Sequence, residues 1–164
     1  MLVVANTSPI NYLVLLEQTA LLPTLYTRVL LPPAVVTELQ DLEAPAAVRA
    51  WAVDLPPWCE IRRPAPQEGT EALDHLGAGE REAILLAQEL QADFLLIDED
   101  DGRQAARSRA LTVTGTLGVL ERAAEHSLID LPSTLAQLLT TTFRVRNELI
   151  QAMLARDAAR KRPM

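Results

Sequence analysis

Asp93-Phe94-Leu95-Leu96-Ile97-Asp98-Glu99-Asp100-Asp101-Gly102 is the stretch that decides the fold. Asp93 to Ile97 reads as a β-strand that stops at a run of four acids. A short, continuous apolar run marks a strand buried on both faces, the kind that parallel sheets are built from. Three more stretches follow the same pattern. Leu2-Val3-Val4-Ala5 ends at Asn6-Thr7-Ser8-Pro9, Arg28 to Leu31 ends at Pro32-Pro33, and Leu111 to Thr114 ends at Gly115-Thr116. Asp54 to Thr70, with four prolines, reads as connection, and Cys59 to Arg63 within it as an edge strand.

Helices are expected between the strands. Ser8 reads as an N-cap and Pro9 as the first residue of a helix reaching about Leu16. Further helices are expected over Ala34 to Asp41, Ala44 to Trp51, Glu80 to Leu90, Arg103 to Arg109, Gly118 to Glu125 and Pro132 to Leu139. A last amphipathic helix is expected over Val145 to Ala158, with Val145, Leu149, Ala152 and Met153 on one stripe. The tail Arg160 to Met164 is expected to fray. Alternating strands and helices predict an α/β fold, a parallel sheet with helices on both faces. In such sheets ligands bind beyond the carboxyl ends of the strands.

The bulk properties narrow the class. The chain has 164 residues, 49% hydrophobic and 23% charged, which suits one globular domain over 1–164. The only cysteine, Cys59, cannot form an internal disulfide and reads as a small apolar filler. No apolar run has membrane-spanning length, and the N-terminus lacks a basic leader, so the expected compartment is the cytoplasm and no membrane partner is expected. A net charge of −7 excludes passive nucleic-acid binding through a broad basic surface. It is compatible with a site that gathers acids to hold a metal.

The strand ends carry the polar residues that could do chemistry. Asn6, Asp98 with its three following acids, and Thr114 and Thr116 would all come to one edge of a parallel sheet. Glu80 opens a helix and projects between Ile84 and Ala87, on its buried side. Two readings of Glu80 stay open: a paired or metal-bound carboxylate, or a first-turn acid favoured by the helix dipole. Glu82 and Glu89 project away from that side. Glu38 sits on the shoulder of an apolar helix face, as a ligand or a solvent-facing residue. His75 and His126 have no partner at metal-ligand spacing and read as surface residues. The P-loop, the dinucleotide fingerprint, the nucleophile elbow and zinc-type arrays are all absent. What remains is a set of oxygen donors suited to Mg²⁺ or Mn²⁺.

The ordered segments Val3-Val4-Ala5-Asn6-Thr7-Ser8-Pro9-Ile10, Leu31 to Leu39, Gly77 to Ile84, Leu96-Ile97-Asp98-Glu99 and Thr114-Gly115-Thr116 resemble PIN-domain proteins. The nearest branch is a PIN-like group related to the VapC toxins. The resemblance spans the first strand to about Ile129. It implies a three-layer α/β/α Rossmann-like fold, with a core over about 1–130 and a helical extension over about 131–160. It implies metal-dependent cleavage of RNA, often by the toxin of a toxin–antitoxin pair, and thus an antitoxin protein as partner and a homodimer as the assembly. Carried over, Glu38, Glu80 and Asp98 are the catalytic and metal-holding acids, with Asn6 standing where Asp is usual and Glu99 in support. Thr116 would position the attacking water or the phosphate. Arg103 is read either as a phosphate contact or as a helix-surface residue balancing the acidic loop. Asn6 removes one negative charge from the cluster, so the alternative is a PIN-fold binding or regulatory module with weakened or no nuclease activity.

Overall fold

The computed structural model describes residues 1–163; Met164, which belongs to the tail expected to fray, lies outside them. Five strands, β1 (Leu2–Ala5), β2 (Arg28–Leu31), β3 (Cys59–Ile61), β4 (Phe94–Leu96) and β5 (Val113–Thr114), form one sheet in the order β3-β2-β1-β4-β5. All four pairings are parallel, with Val4 opposite both Leu30 and Leu95.

The strands alternate between two cores, as the two-residue period of a pleat requires. Val3, Ala5, Val29, Leu31 and Leu96 face one cluster, while Val4, Leu30, Leu95 and Ile97 face the other. On the first face lie α1 (Thr7–Leu15), α2 (Leu21–Leu25), α3 (Pro33–Leu39), α4 (Ala46–Val53), α7 (Thr116–Glu125), α8 (Leu131–Leu138) and α9 (Asn147–Lys161). On the second lie α5 (Ala78–Leu90) and α6 (Asp100–Ser108). The three-layer α/β/α arrangement expected from the sequence is therefore present. The helices expected as an extension pack into the first core through Leu131, Leu135, Leu138, Ile150 and Met153. No helix among the described residues is long and apolar enough to cross a membrane.

Several element boundaries differ from the sequence reading, for one shared reason. Asn6, Gly77, Glu99 and Gly115 are the extended residues before their helices, so α1, α5, α6 and α7 start two or three residues earlier than expected. Ser8 is thus the second residue of α1 and not its cap. Two elements had no sequence signal: α2, and a 3₁₀ turn at Glu71–Leu73. The last helix buries Ile150, Met153 and Asp157, while Leu149 and Ala152 are exposed, so the expected stripe is rotated. It runs to Lys161 because Arg160 and Lys161 both pair with the buried Asp157, at 3.0 and 2.7 Å. Burial pushes the Cys59 thiol up to about 11, in keeping with a filler. His75 and His126 are exposed.

Candidate metal and nuclease site

The chain runs β1, β2, β3 to one side of the sheet and returns to β4 and β5 on the other. The order therefore reverses between β1 and β4, the place where α/β sheets open a crevice beyond their strand ends. Asn6 follows β1 and Asp98 follows β4; the Asn6 N–H is bonded to the Leu96 carbonyl at 2.9 Å.

Each acid at this edge meets the start of a helix. The Asp98 carboxylate accepts from the Thr116 N–H and the Thr116 hydroxyl, both at 2.8 Å, at the first residue of α7. Glu38, near the end of α3, accepts from the Gly79 N–H of α5 at 3.0 Å and from the Thr7 hydroxyl. Glu80 lies in the first turn of α5, where the backbone of Gly77, the extended residue before the helix, lowers its pKa. The partial positive charge and free N–H groups of helix N-termini favour carboxylates there. The two readings of Glu80 are thus compatible in one residue, which sits in the first turn of α5 and also feels the charge of other acids.

Glu99 links the groups. Its carboxylate accepts from the Ser8 hydroxyl at 2.5 Å and from the Asn6 amide nitrogen at 3.3 Å. Its charge raises the pKa of both Glu80 and Asp98. For Glu80 the first cause is burial, followed by Glu99, with Glu38 and Asp101 adding to it. For Asp98 burial again leads; the Thr116 hydrogen bonds and the Arg103 guanidinium pull the other way. Arg103 donates to the Ile97 carbonyl at 2.9 Å and is half-buried, tying α6 to the end of β4. Thr116 is fully buried, so it reaches the site through Asp98.

Asn6 is 2% exposed, and its side-chain oxygen has no hydrogen-bond partner. A buried, unpaired amide oxygen costs on the order of 1–3 kcal/mol. Among the described residues, no three or more His, Cys, Asp or Glu side chains are gathered closely enough to hold a metal ion. The acids share one edge and one electrostatic field, yet Asp98 is turned onto Thr116 and Glu38 onto Gly79. The donor set is nonetheless all oxygen, and its one orphaned member is a carbonyl oxygen, as a hard divalent cation requires.

Three further residues belong to this edge without having been singled out from the sequence. Ser8 was expected to cap a helix and Thr7 was given no role, yet their hydroxyls go to Glu99 and Glu38. Glu82, expected to project away, is half-buried and accepts from the Ala34 N–H of α3 at 2.8 Å. Helices α3 and α5 therefore cap one another, through Glu82 in one direction and Glu38 in the other.

A doubly wound parallel sheet with acids at its switch point defines an α/β/α protein of the Rossmann-like kind. The chain belongs to the PIN-domain family: the family model DUF3368, described as a PIN domain, matches residues 2–158. PIN domains are in general nucleases and typically use divalent metals. Among solved structures, the chain is similar to a PilT N-terminus domain protein, SSO1118, from the hyperthermophilic archaeon Sulfolobus solfataricus P2. The identity is 14% and the TM-score 0.46, covering 89% of this chain and 100% of that one. No curated protein matches.

Proposed function

We propose that this chain is a metal-dependent endoribonuclease that hydrolyses RNA phosphodiester bonds. The observation that carries the reading is the buried, unpartnered oxygen of Asn6 among carboxylates at the β1/β4 switch point. Asn6, Glu38, Glu80, Asp98 and Glu99 would hold Mg²⁺ or Mn²⁺. When bound, such an ion polarises a phosphoryl oxygen and makes water a better nucleophile at neutral pH. The chain's own residues do the rest. Thr116 fixes the orientation of Asp98, Gly79 and Thr7 fix Glu38, and Asn6 and Ser8 fix Glu99. Glu80, with its pKa raised by burial and neighbouring charge, is the carboxylate best suited to accept a proton from an attacking water at its Oε atoms.

The test is cleavage of a panel of single-stranded and structured RNAs with Mn²⁺, Mg²⁺ or chelator. Cleavage that needs metal and disappears in Glu80→Gln supports the reading; no cleavage under any condition overturns it. The second reading, a PIN-fold binding or regulatory module, is favoured by Asn6 and by the absence of a gathered cage among the described residues. It expects metal-independent binding of a partner and no cleavage.

A toxin role is part of the same proposal, with an antitoxin protein as partner and the cytoplasm as its place. Expression would arrest growth, and Glu80→Gln would relieve the arrest. The proposed assembly is a homodimer, supported by the exposed apolar residues Leu42, Val53 and Ile61. A monomeric mass by light scattering at tens of micromolar would overturn it.

A further inference from the structure

A polyanionic substrate is repelled by an acidic edge on a chain of net charge −7, so it needs cations placed locally. The chain has only 15 lysines and arginines, and three of the arginines line one groove. This groove of about 660 Å³ runs from Asp98, Asp100 and Arg103 to the loop Phe143-Arg144-Val145-Arg146 that leads into α9.

None of these three arginines makes a salt bridge among the described residues, although Arg28, Arg156, Arg160 and Lys161 do. Arg144 donates only to its own loop, to the Thr141 and Phe143 carbonyls at 3.2 Å. Arg146 has no side-chain hydrogen bond and sits at the N-cap of the fifteen-residue α9. A cation there opposes the helix dipole, which is unfavourable for the isolated chain and favourable once an anion is present. Phe143 is half-buried against Tyr12, edge to face with centroids 5.0 Å apart, and gives the groove an aromatic wall.

We propose that this groove carries single-stranded RNA into the site, with Arg103, Arg144 and Arg146 contacting successive phosphates. Guanidinium forks match phosphate oxygens in pairs, which suits arginine over lysine here. A groove of this size is in the range of a small-ligand pocket, about 300–1,000 Å³, room for a short stretch of single strand. Sugars and bases would lie along Phe143 and the apolar residues beside it, as single-strand grooves combine cations with stacking surfaces. Asp98 and Asp100 line the same groove, so a strand held by the arginines passes Asp98 without a second binding surface. The proposal rests on the nuclease reading above and gives that site its substrate path.

The test separates binding from cleavage. A fluorescent single-stranded RNA of about twelve nucleotides is titrated by anisotropy in chelator, where no metal-dependent cleavage occurs. The protein is the full chain and its Arg144→Gln/Arg146→Gln and Arg146→Gln variants. Each lost phosphate contact lowers the slope of log affinity against log salt by about 0.7 for single strands. We expect the double variant to bind roughly tenfold or more weakly at 0.1 M salt, with the slope reduced by about 1.4, and the single variant to show about half of that reduction. Equal affinity and slope in all three proteins overturn the proposal, as does an intact chain that fails to bind the RNA at low salt. An acidic peptide is titrated in parallel; if only its binding falls in the variants, the groove docks a protein and the proposal is wrong. The Arg146→Gln variant, which loses no hydrogen bond, guards against a folding defect. If the variants lose binding while the intact chain cleaves no RNA with metal, the groove stands and the nuclease reading fails. If cleavage is robust and the variants bind and cleave like the intact chain, the reverse holds.

Discussion

The Asn6 side chain donates through its amide nitrogen to Glu99 at 3.3 Å, and its buried oxygen is left without a partner. An aspartate at this position would reverse the first interaction, because it has no N–H to give. Two unit charges at that separation repel by about 5 kcal/mol at an effective dielectric of ~20. Glu99 is exposed and can swing away, so Asn6→Asp should destabilise the metal-free protein by about 1–3 kcal/mol, the range for losing one partner of a buried polar group. With Mn²⁺ the sign should reverse, since the extra charge binds the cation. Melting temperatures in chelator and in millimolar Mn²⁺ should cross between the two proteins, and the mutant should need less Mg²⁺ for cleavage. Identical curves in both conditions would place residue 6 outside the site.

Asp98 accepts two hydrogen bonds from the fully buried Thr116. Thr116→Val keeps the volume and the backbone N–H but removes the hydroxyl. A hydrogen bond to a charged group is worth about 1.5–3 kcal/mol, so a loss in that range is expected by urea unfolding. The same change removes one of the influences that lower the Asp98 pKa. The acidic limb of the pH–activity profile should therefore move to higher pH, because Asp98 must be ionised to hold a metal. An unchanged profile with lost stability would reduce Thr116 to a structural role.

The raised pKa values of Glu80 and Asp98 have a consequence for stability. Over the range between the unfolded and folded pKa values, the folded chain binds more protons than the unfolded one. Its stability then falls as pH rises. The contribution from these two groups is complete below the ordinary carboxylate pKa, about 4, and is lost as pH climbs through the higher folded values. In chelator, unfolding free energy should drop between mildly acidic and neutral pH, and Glu80→Gln should flatten part of that drop. Mn²⁺ should counter it, because the ion stabilises the ionised acids. A chelated protein that gains stability over this range would contradict the crowding of acids at the strand ends.

Strands β1, β2 and β4 were legible because each is largely buried between the two helix layers, which leaves an apolar run too short for a helix. Asp98 and Asn6 were legible because they interrupt such runs. Glu82 was not, because its partner, the Ala34 N–H, lies 48 positions away and is reached only once α3 and α5 pack together. Ser8 was misread, and Thr7 passed over, for a similar reason. A hydroxyl before Pro9 is a good cap on local grounds, yet the acids that claim these hydroxyls come from α3 and from the end of β4. The rotated face of α9 was hidden by Asp157, a buried acid that only the pairing with Arg160 and Lys161 makes tolerable.

Gly79 tests whether Glu38 works at this edge or only caps a helix. A β-carbon on Gly79 would lie 2.8 Å from the Glu38 carboxyl carbon and 2.9 Å from its Oε1, too close for either to stay. The obstacle is the end of a flexible side chain, so Glu38 can move aside at modest cost. Alanine also gains up to about 1 kcal/mol of helix propensity over glycine. Gly79→Ala should therefore change unfolding free energy by less than about 1 kcal/mol while displacing the Glu38 carboxylate from the Gly79 N–H and from Thr7. If Glu38 holds metal, metal-dependent cleavage should fall at least tenfold, and Glu38→Ala alone should produce a loss of similar size. The double variant should be no worse than either single one, since both remove the same group. If Gly79→Ala cleaves as well as the intact chain while Glu38→Ala does not, Glu38 tolerates displacement and its capped position here is not its working one. If neither variant loses cleavage, Glu38 serves α5 alone.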